Sequence, residues 1–254
     1  MLMTSSLISR RTALIGGAAL PLATATAPKL ALADDHAAPS NAIQNTFGLG
    51  DFQVSTLLVG SRPVDEGIQT IFGVNVSEEE FASVSADNFL PTDKAQFFFT
   101  PTVVRAGSEV VLFDAGLSAG GTLAALNSAG IEAGDVTIVV LTHMHGDHIG
   151  GLIDNAGAPT FPNARYVTGQ VEFDHWAAAG NDGVDSKVRP FAENTTFIGD
   201  GDDVVSGITA VSAFGHTPGH MAYMLESGGE SVLLIADTAN HYVWSLGYPD
   251  CEER

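Results

Sequence analysis

The chain has 254 residues, 45% of them hydrophobic and 16% charged, a balance that fits one globular domain with a sizeable core and excludes a disordered or wholly membrane-embedded protein. Ten basic side chains against thirty acidic ones give a formal net charge of −20, which leaves no basic footprint for nucleic acid or for anionic lipid. The single cysteine, Cys251, has no partner for an internal disulfide.

Residues 1–33 read as an export signal and are set apart from the fold. Ser9-Arg10-Arg11-Thr12-Ala13-Leu14 is a twin-arginine pattern, and the Ala-, Leu- and Gly-rich run from Ala13 to Ala27 is too short and too weakly hydrophobic to span a bilayer stably. Ala31-Leu32-Ala33 offers a small-x-small cleavage site, with Asp34 as the mature N-terminus. The competing readings are an N-terminal membrane anchor or a tail that merely holds two arginines. Export by the twin-arginine machinery implies a periplasmic or secreted protein with no stable membrane insertion after cleavage. Cleavage removes Arg10, Arg11 and Lys29 but no acid, which takes the net charge from −20 to −23. Residues 34–46 are small and polar and read as a flexible tail, so the folded domain is expected over 47–254.

From there the pattern is β-rich. Strands are expected over Asp51–Gly60, Gln96–Val104 and Glu109–Phe113, the last closed by the turn Asp114-Ala115-Gly116. Leu123–Ala129 reads as a short helix stopped by Gly130, and Val136–Leu141 as an apolar strand that delivers Thr142. A strand over Ala164–Thr168, a helix over Gln170–Ala179, a hairpin or bent strand over Val204–Phe214 and strands over Met221–Glu226 and Val232–Ala236 complete the series. No repeat, low-complexity block or interdomain linker interrupts it. Sheets buried against a few helices imply a layered α/β or α+β domain.

The strongest chemical signal is His143-Met144-His145-Gly146-Asp147-His148, which places four metal-ligating side chains in six residues at the exit of a buried strand. His143 and His145 can converge on one ion while Asp147 and His148 face a second. Two further candidates lie at later strand ends, His216 in Gly215-His216-Thr217-Pro218-Gly219-His220 and Asp237 in Ile235-Ala236-Asp237-Thr238. His216 would complete the first set and Asp237 could bridge both. Taken alone, His216 could equally be a turn histidine and Asp237 a helix cap.

With these motifs in order, the chain resembles the metallo-β-lactamase superfamily from roughly Gln96 to Asp237. The resemblance implies an α+β fold, the αββα sandwich, with two divalent ions at one edge, Zn2+ before Mn, Fe or Co. It also implies that Asp114 orients a ligand histidine from behind. An aspartate at 237 resembles the lactonases, glyoxalase II and methyl parathion hydrolase rather than the β-lactamases that place cysteine there. The stretch from Phe161 through Trp176 looks closest to the methyl parathion hydrolase-like branch. Trp176 is then a substrate-pocket candidate, with a core position as its alternative, and His241 is a second one. His220 is expected behind the ligands or packed in its turn, and His175 exposed on its helix. The family carries one more histidine several tens of residues after the bridging aspartate. The chain ends at Arg254, so its end is read as truncated or altered, with the last strand and helix missing.

The implied chemistry is attack by a metal-bridging hydroxide on a small neutral ester-like substrate, a lactone or a phosphotriester, with Asp147 guiding the proton. Two competing readings are a metal-binding but catalytically weak chain that holds one ion and an iron-dependent oxidoreductase of the sulfur dioxygenase type. Oligomeric assembly stays open.

Overall fold

The computed structural model describes residues 44–248. The signal and cleavage site read in 1–33, the tail over 34–43 and the end at Cys251–Arg254 lie outside the described residues.

The described chain opens with an antiparallel ribbon of β1 (Gln44–Leu49) and β2 (Phe52–Leu57). The flexible tail expected to reach residue 46 is thereby shortened, because Gln44, Asn45 and Thr46 stand in register with Leu57, Thr56 and Ser55. Their side chains are exposed, so no hydrophobic periodicity marks the strand. β3 (Gly60–Val64) pairs with β4 (Ala95–Phe99) in a separate two-stranded sheet. Between them lies α1 (Glu78–Asp87), started by Ser77, whose hydroxyl accepts the Glu80 N–H.

The expected strands over 51–60 and 96–104 each divide between two sheets. Pro101 is the physical reason at the second: it has no N–H to donate, and the chain crosses there from β4 into β5 (Thr102–Ala106). β6 (Glu109–Phe113), α2 (Ala119–Ser128) and β7 (Ile138–Leu141) follow, and α2 starts four residues before the sequence pattern suggests because the Ser118 hydroxyl caps it at the Gly121 N–H. Next come the single helical turn α3 (Gly146–Ile149), β8 (Arg165–Gly169), α4 (Gln170–Ala179), α5 (Asp182–Lys187) and β9 (Thr195–Ile198). The final strands are β10 (Asp203–Val205), β11 (Ile208–Ser212), β12 (Met221–Ser227) and β13 (Glu230–Leu234).

These strands form a seven-stranded sheet in the order β1-β2-β5-β6-β7-β8-β9, parallel from β6 to β9, and an antiparallel four-stranded sheet in the order β10-β11-β12-β13. Alternation along β6 and β7 shows the layering. Val110, Leu112, Val139 and Leu141 pack with Leu126 of α2 and with Val184 and Val188, while Val111, Phe113, Ile138 and Val140 pack with Ile208, Tyr223 and Leu225 of the smaller sheet. Because β7 is buried on both faces, it reads as an unbroken apolar run. Helix, sheet and sheet thus stack in the order expected for a metallo-β-lactamase sandwich. A third, smaller cluster joins Phe81 and Val84 of α1 to Ile68, Phe72, Val243 and Trp244. Among the described residues no helix is long and apolar enough to cross a membrane.

The loop after β7 is pinned to the loop after β6. Gly151 donates its N–H to the Gly116 carbonyl, and a Cβ at Gly151 would collide with the carbonyl oxygen of Ala115. Only glycine allows this approach, and it brings the histidine-rich loop onto the Asp114 turn.

Candidate metal centre

Three separate pieces of chain meet at one edge of the sandwich: the exit of β7, the connection from β11 to β12, and the exit of β13. The Met221 N–H donates to the Thr142 carbonyl and stitches the first two together.

His143, fully buried, turns Nε2 toward Nδ1 of His145 at 3.0 Å, and that same Nδ1 lies 3.0 Å from Nε2 of His216. One imidazole nitrogen carries at most one proton, so it cannot satisfy both neighbours by ordinary hydrogen bonding. Three nitrogens converging in this way instead approach the edge length of a tetrahedral ligand shell, roughly 3.4 Å for Zn–N bonds of about 2.0–2.1 Å. The donor set therefore fits a divalent ion. A second group of potential ligands joins His148 and Asp237 to His143. His148 Nε2 is 3.4 Å from Asp237 Oδ1 and 3.7 Å from Asp147 Oδ2, and Asp237 Oδ2 is 3.5 Å from His216 Nε2. Asp237 accordingly offers one oxygen to each set. Asp147 stands at the open side, with about a third of its side chain exposed.

Asp114 fixes the ring faces. Its Oδ2 accepts from His148 Nδ1 and from the Thr142 hydroxyl, each at 2.9 Å, and its Oδ1 accepts the Thr142 N–H, also at 2.9 Å. The Thr142 oxygen in turn lies 3.1 Å from His143 Nδ1, which sets the donors as His143 Nδ1–H to Thr142 and Thr142 O–H to Asp114. Both histidines are left with Nε2 free for a ligand role. His220 lies behind the ligands, buried, with Nε2 accepting the Asp237 N–H at 3.2 Å, while its Nδ1 has no hydrogen-bond partner among the described residues.

The electrostatics separate the histidines. Burial, reinforced by the neighbouring imidazoles, pushes His143 far below its ordinary value and lowers His216, although Asp237 partly opposes the second shift. Burial likewise lowers His220. Burial also acts against charge on His148, but Asp114 and Asp237 outweigh it and raise that group well above the ordinary histidine value. Burial works against ionisation of Asp237, yet His148 and the other imidazoles bring its pKa below the usual carboxylate range.

The two pocket candidates fall elsewhere. Trp176 donates its indole N–H to Glu172 Oε1 at 2.6 Å and stands edge-on to His145 at 5.8 Å, so it supports a ligand rather than lining the cavity. His241 also stays out of the cavity: its Nδ1 accepts the N–H groups of Val243 and Trp244, capping the wide helical turn Tyr242–Gly247, and its ring lies tilted against Trp244 at 4.3 Å between centres. His175 is exposed on α4. Sequence reasoning missed Glu172, Thr142 as a hydrogen-bond relay, and the aromatic run Phe97-Phe98-Phe99 beside the site. The one available signal for Glu172 was a carboxylate in the first turn of a helix that follows a buried strand.

The metallo-beta-lactamase superfamily model matches residues 100–249, and the chain belongs to that superfamily. Among curated proteins it is 29% identical over 136 residues to the N-acyl homoserine lactonase AttM of Azorhizobium caulinodans, a match covering 48% of this chain and 49% of that one. The chain thus spans about half the length of that relative. Among solved structures, the dizinc quorum-quenching lactonase AidC, in complex with a product, superposes with a TM-score of 0.71 at 24% identity over 82% of this chain and 79% of its own. The hydrolase AbOPH of the beta lactamase superfamily gives 0.73 at 22% identity, over 83% and 79%. These likenesses show the fold.

The raised His148 gives a pH-dependent expectation. In the metal-free protein at pH 7 this histidine carries a proton, and ligation requires the neutral ring, so loading zinc in weak buffer should release a proton that is no longer released once the pH exceeds the raised pKa. Asp114→Asn should reduce that release, because the Asp114 charge contributes to the raised value. Equal proton uptake or release by wild type and variant in a pH-stat titration would contradict the assignment.

Proposed function

We propose that this chain is a metal-dependent hydrolase acting on a small, neutral, largely apolar ester, with lactones ahead of phosphotriesters. The observation that carries the proposal is Asp237 dividing its two oxygens between two ligand sets at the floor of a cavity of about 680 Å³. Phe97, Phe98, Phe99, Pro101, Leu234 and Ile235 line that cavity together with His145, Asp147, His148 and His216. Divalent ions held there would acidify a water and polarise the scissile carbonyl oxygen.

The chain's own residues supply the rest. The aromatic wall sets apolar surface beside the polar groups of the site, which suits an apolar substrate whose binding would displace water from them. His143, His145 and His216 would be neutral donors to the first ion, with Asp237 Oδ2 the anionic oxygen on that side. The Asp147 carboxylate, at the open side of the floor, can take the proton of the attacking water at Oδ2 and return it to the leaving oxygen. Among the described residues Arg62 is the one Lys or Arg lining the cavity, 5.9 Å from the Phe97 ring centre, so the wall offers little to attract an anionic substrate. The net charge of −20 supports a neutral substrate in the same way. The similarity to AttM favours a lactone over a phosphotriester.

We further infer that residues 1–33 direct the folded protein through twin-arginine export to the periplasm or the medium, where it meets substrates arriving from outside the cell. Two tests follow. Purified protein assayed against lactones, aryl phosphotriesters and thioesters should turn over lactones in a reaction stopped by chelator and restored by zinc, and Asp147→Asn should lower kcat by roughly 10²-fold or more. Absence of metal-dependent turnover on all three classes would sink the proposal. N-terminal sequencing of exported protein should begin at Asp34, and Arg10→Lys with Arg11→Lys should hold the protein in the cytoplasm. Export unaffected by that double change would contradict the twin-arginine reading.

A further inference from the structure

Glu172 is a fully buried carboxylate, in the first turn of α4, that stands outside the ligand sets. Four donors from three pieces of chain meet on it. Oε1 accepts the Met144 N–H at 2.9 Å and the Trp176 indole N–H at 2.6 Å. Oε2 accepts the Thr217 hydroxyl at 2.6 Å and the Gly219 N–H at 3.1 Å. Met144 lies between His143 and His145, and Thr217 directly follows His216. One side chain therefore ties together the two loops that carry all three histidines of the first set. The fit is close enough that a Cβ at Gly219 would collide with the Glu172 main-chain nitrogen.

We propose that Glu172 is a positioning residue that fixes the His143, His145 and His216 triad through hydrogen bonds to both ligand loops. An ionised carboxylate accepts at both oxygens, so all four bonds require the charged form, whereas a glutamine would turn a donor toward one of the two loops. Among the described residues no Lys or Arg forms an ion pair with Glu172. A buried charge held only by neutral donors is costly to fold. A divalent ion among three neutral imidazoles beside it would offset that charge, which couples the carboxylate to the metal as well as to the loops. Trp176 completes the device, since it holds Oε1 while its ring stands edge-on to His145.

The inference rests on the three histidines being a metal site and not on the substrate assigned above. Its test is a binding measurement on the full chain. Metal-free wild type and Glu172→Gln are titrated with zinc against a chromogenic chelator, and the visible absorption of the cobalt-loaded forms is recorded. Glu172→Gln should bind the first zinc roughly 10–100-fold more weakly, the range found for residues that orient metal ligands, with a cobalt spectrum of altered intensity. Thr217→Val, which removes one arm and keeps the carboxylate, should shift both readouts in the same direction by less. It carries the test alone if the glutamine variant does not fold. Wild-type zinc affinity and an unchanged cobalt spectrum in the folded variants would overturn the proposal, even if their melting temperatures fall. A wild type that binds no metal would overturn this proposal and the metal-centre reading together, whereas failure of the lactone assay alone would overturn only the substrate.

Discussion

Three donors converge on the Asp114 carboxylate, and the rest of the site depends on that convergence. Asp114 leaves the end of β6 with φ 65°, a left-handed conformation that aspartate adopts more readily than most residues. From there it reaches Thr142, the first residue beyond the parallel neighbour β7, and, six residues further on in α3, His148. A single side chain thus couples the ends of two central strands to the orientation of both His143, through Thr142, and His148. Hydrogen bonds to a charged acceptor are the stronger kind, about 1.5–3 kcal/mol each, and here they are spent on orientation.

The sheets supply the complementary constraint. Tyr223 of β12 packs against Phe113, the residue before Asp114, at 5.2 Å between ring centres, so the smaller sheet is locked to β6 immediately beside the site. β12 begins with the Met221 N–H on Thr142, and β13 runs antiparallel to it and ends at the Asp237 turn. The His220 ring lies between these features and accepts the Asp237 N–H. His143, His148 and Asp237 are therefore set by a strand end or by a residue bonded to one, which suits a candidate site whose ligand atoms must be held to about half an ångström.

The side chains that meet at the candidate centre could be singled out in the sequence because metal chemistry restricts residue type: three histidines and an aspartate in six residues have few other uses, and His216 and Asp237 fall at strand ends. β6, β7 and β12 were legible because burial on both faces leaves an apolar run. The exposed β1 gave no such pattern, and the Gln96–Val104 run concealed a change of sheet at Pro101. Glu172 could not be found by periodicity, since a polar residue on an amphipathic helix reads as solvent-facing until its four donors are seen. Trp176 was placed near the site by the family resemblance and His241 by its nearness along the chain to Asp237, but the Trp176 indole N–H goes to Glu172 and His241 Nδ1 caps a helical turn. The candidate centre was thus readable as a list of side chains, and the scaffold that orients them required the fold.

In the proposed two-ion reading Asp237 joins two groups of candidate ligands that share His143, one with His145 and His216 and one with His148. The most direct test is metal content by elemental analysis after equilibrium dialysis against zinc. Close to two ions per chain are expected if the proposed reading holds. A wild-type content of one ion or none would contradict the dinuclear assignment.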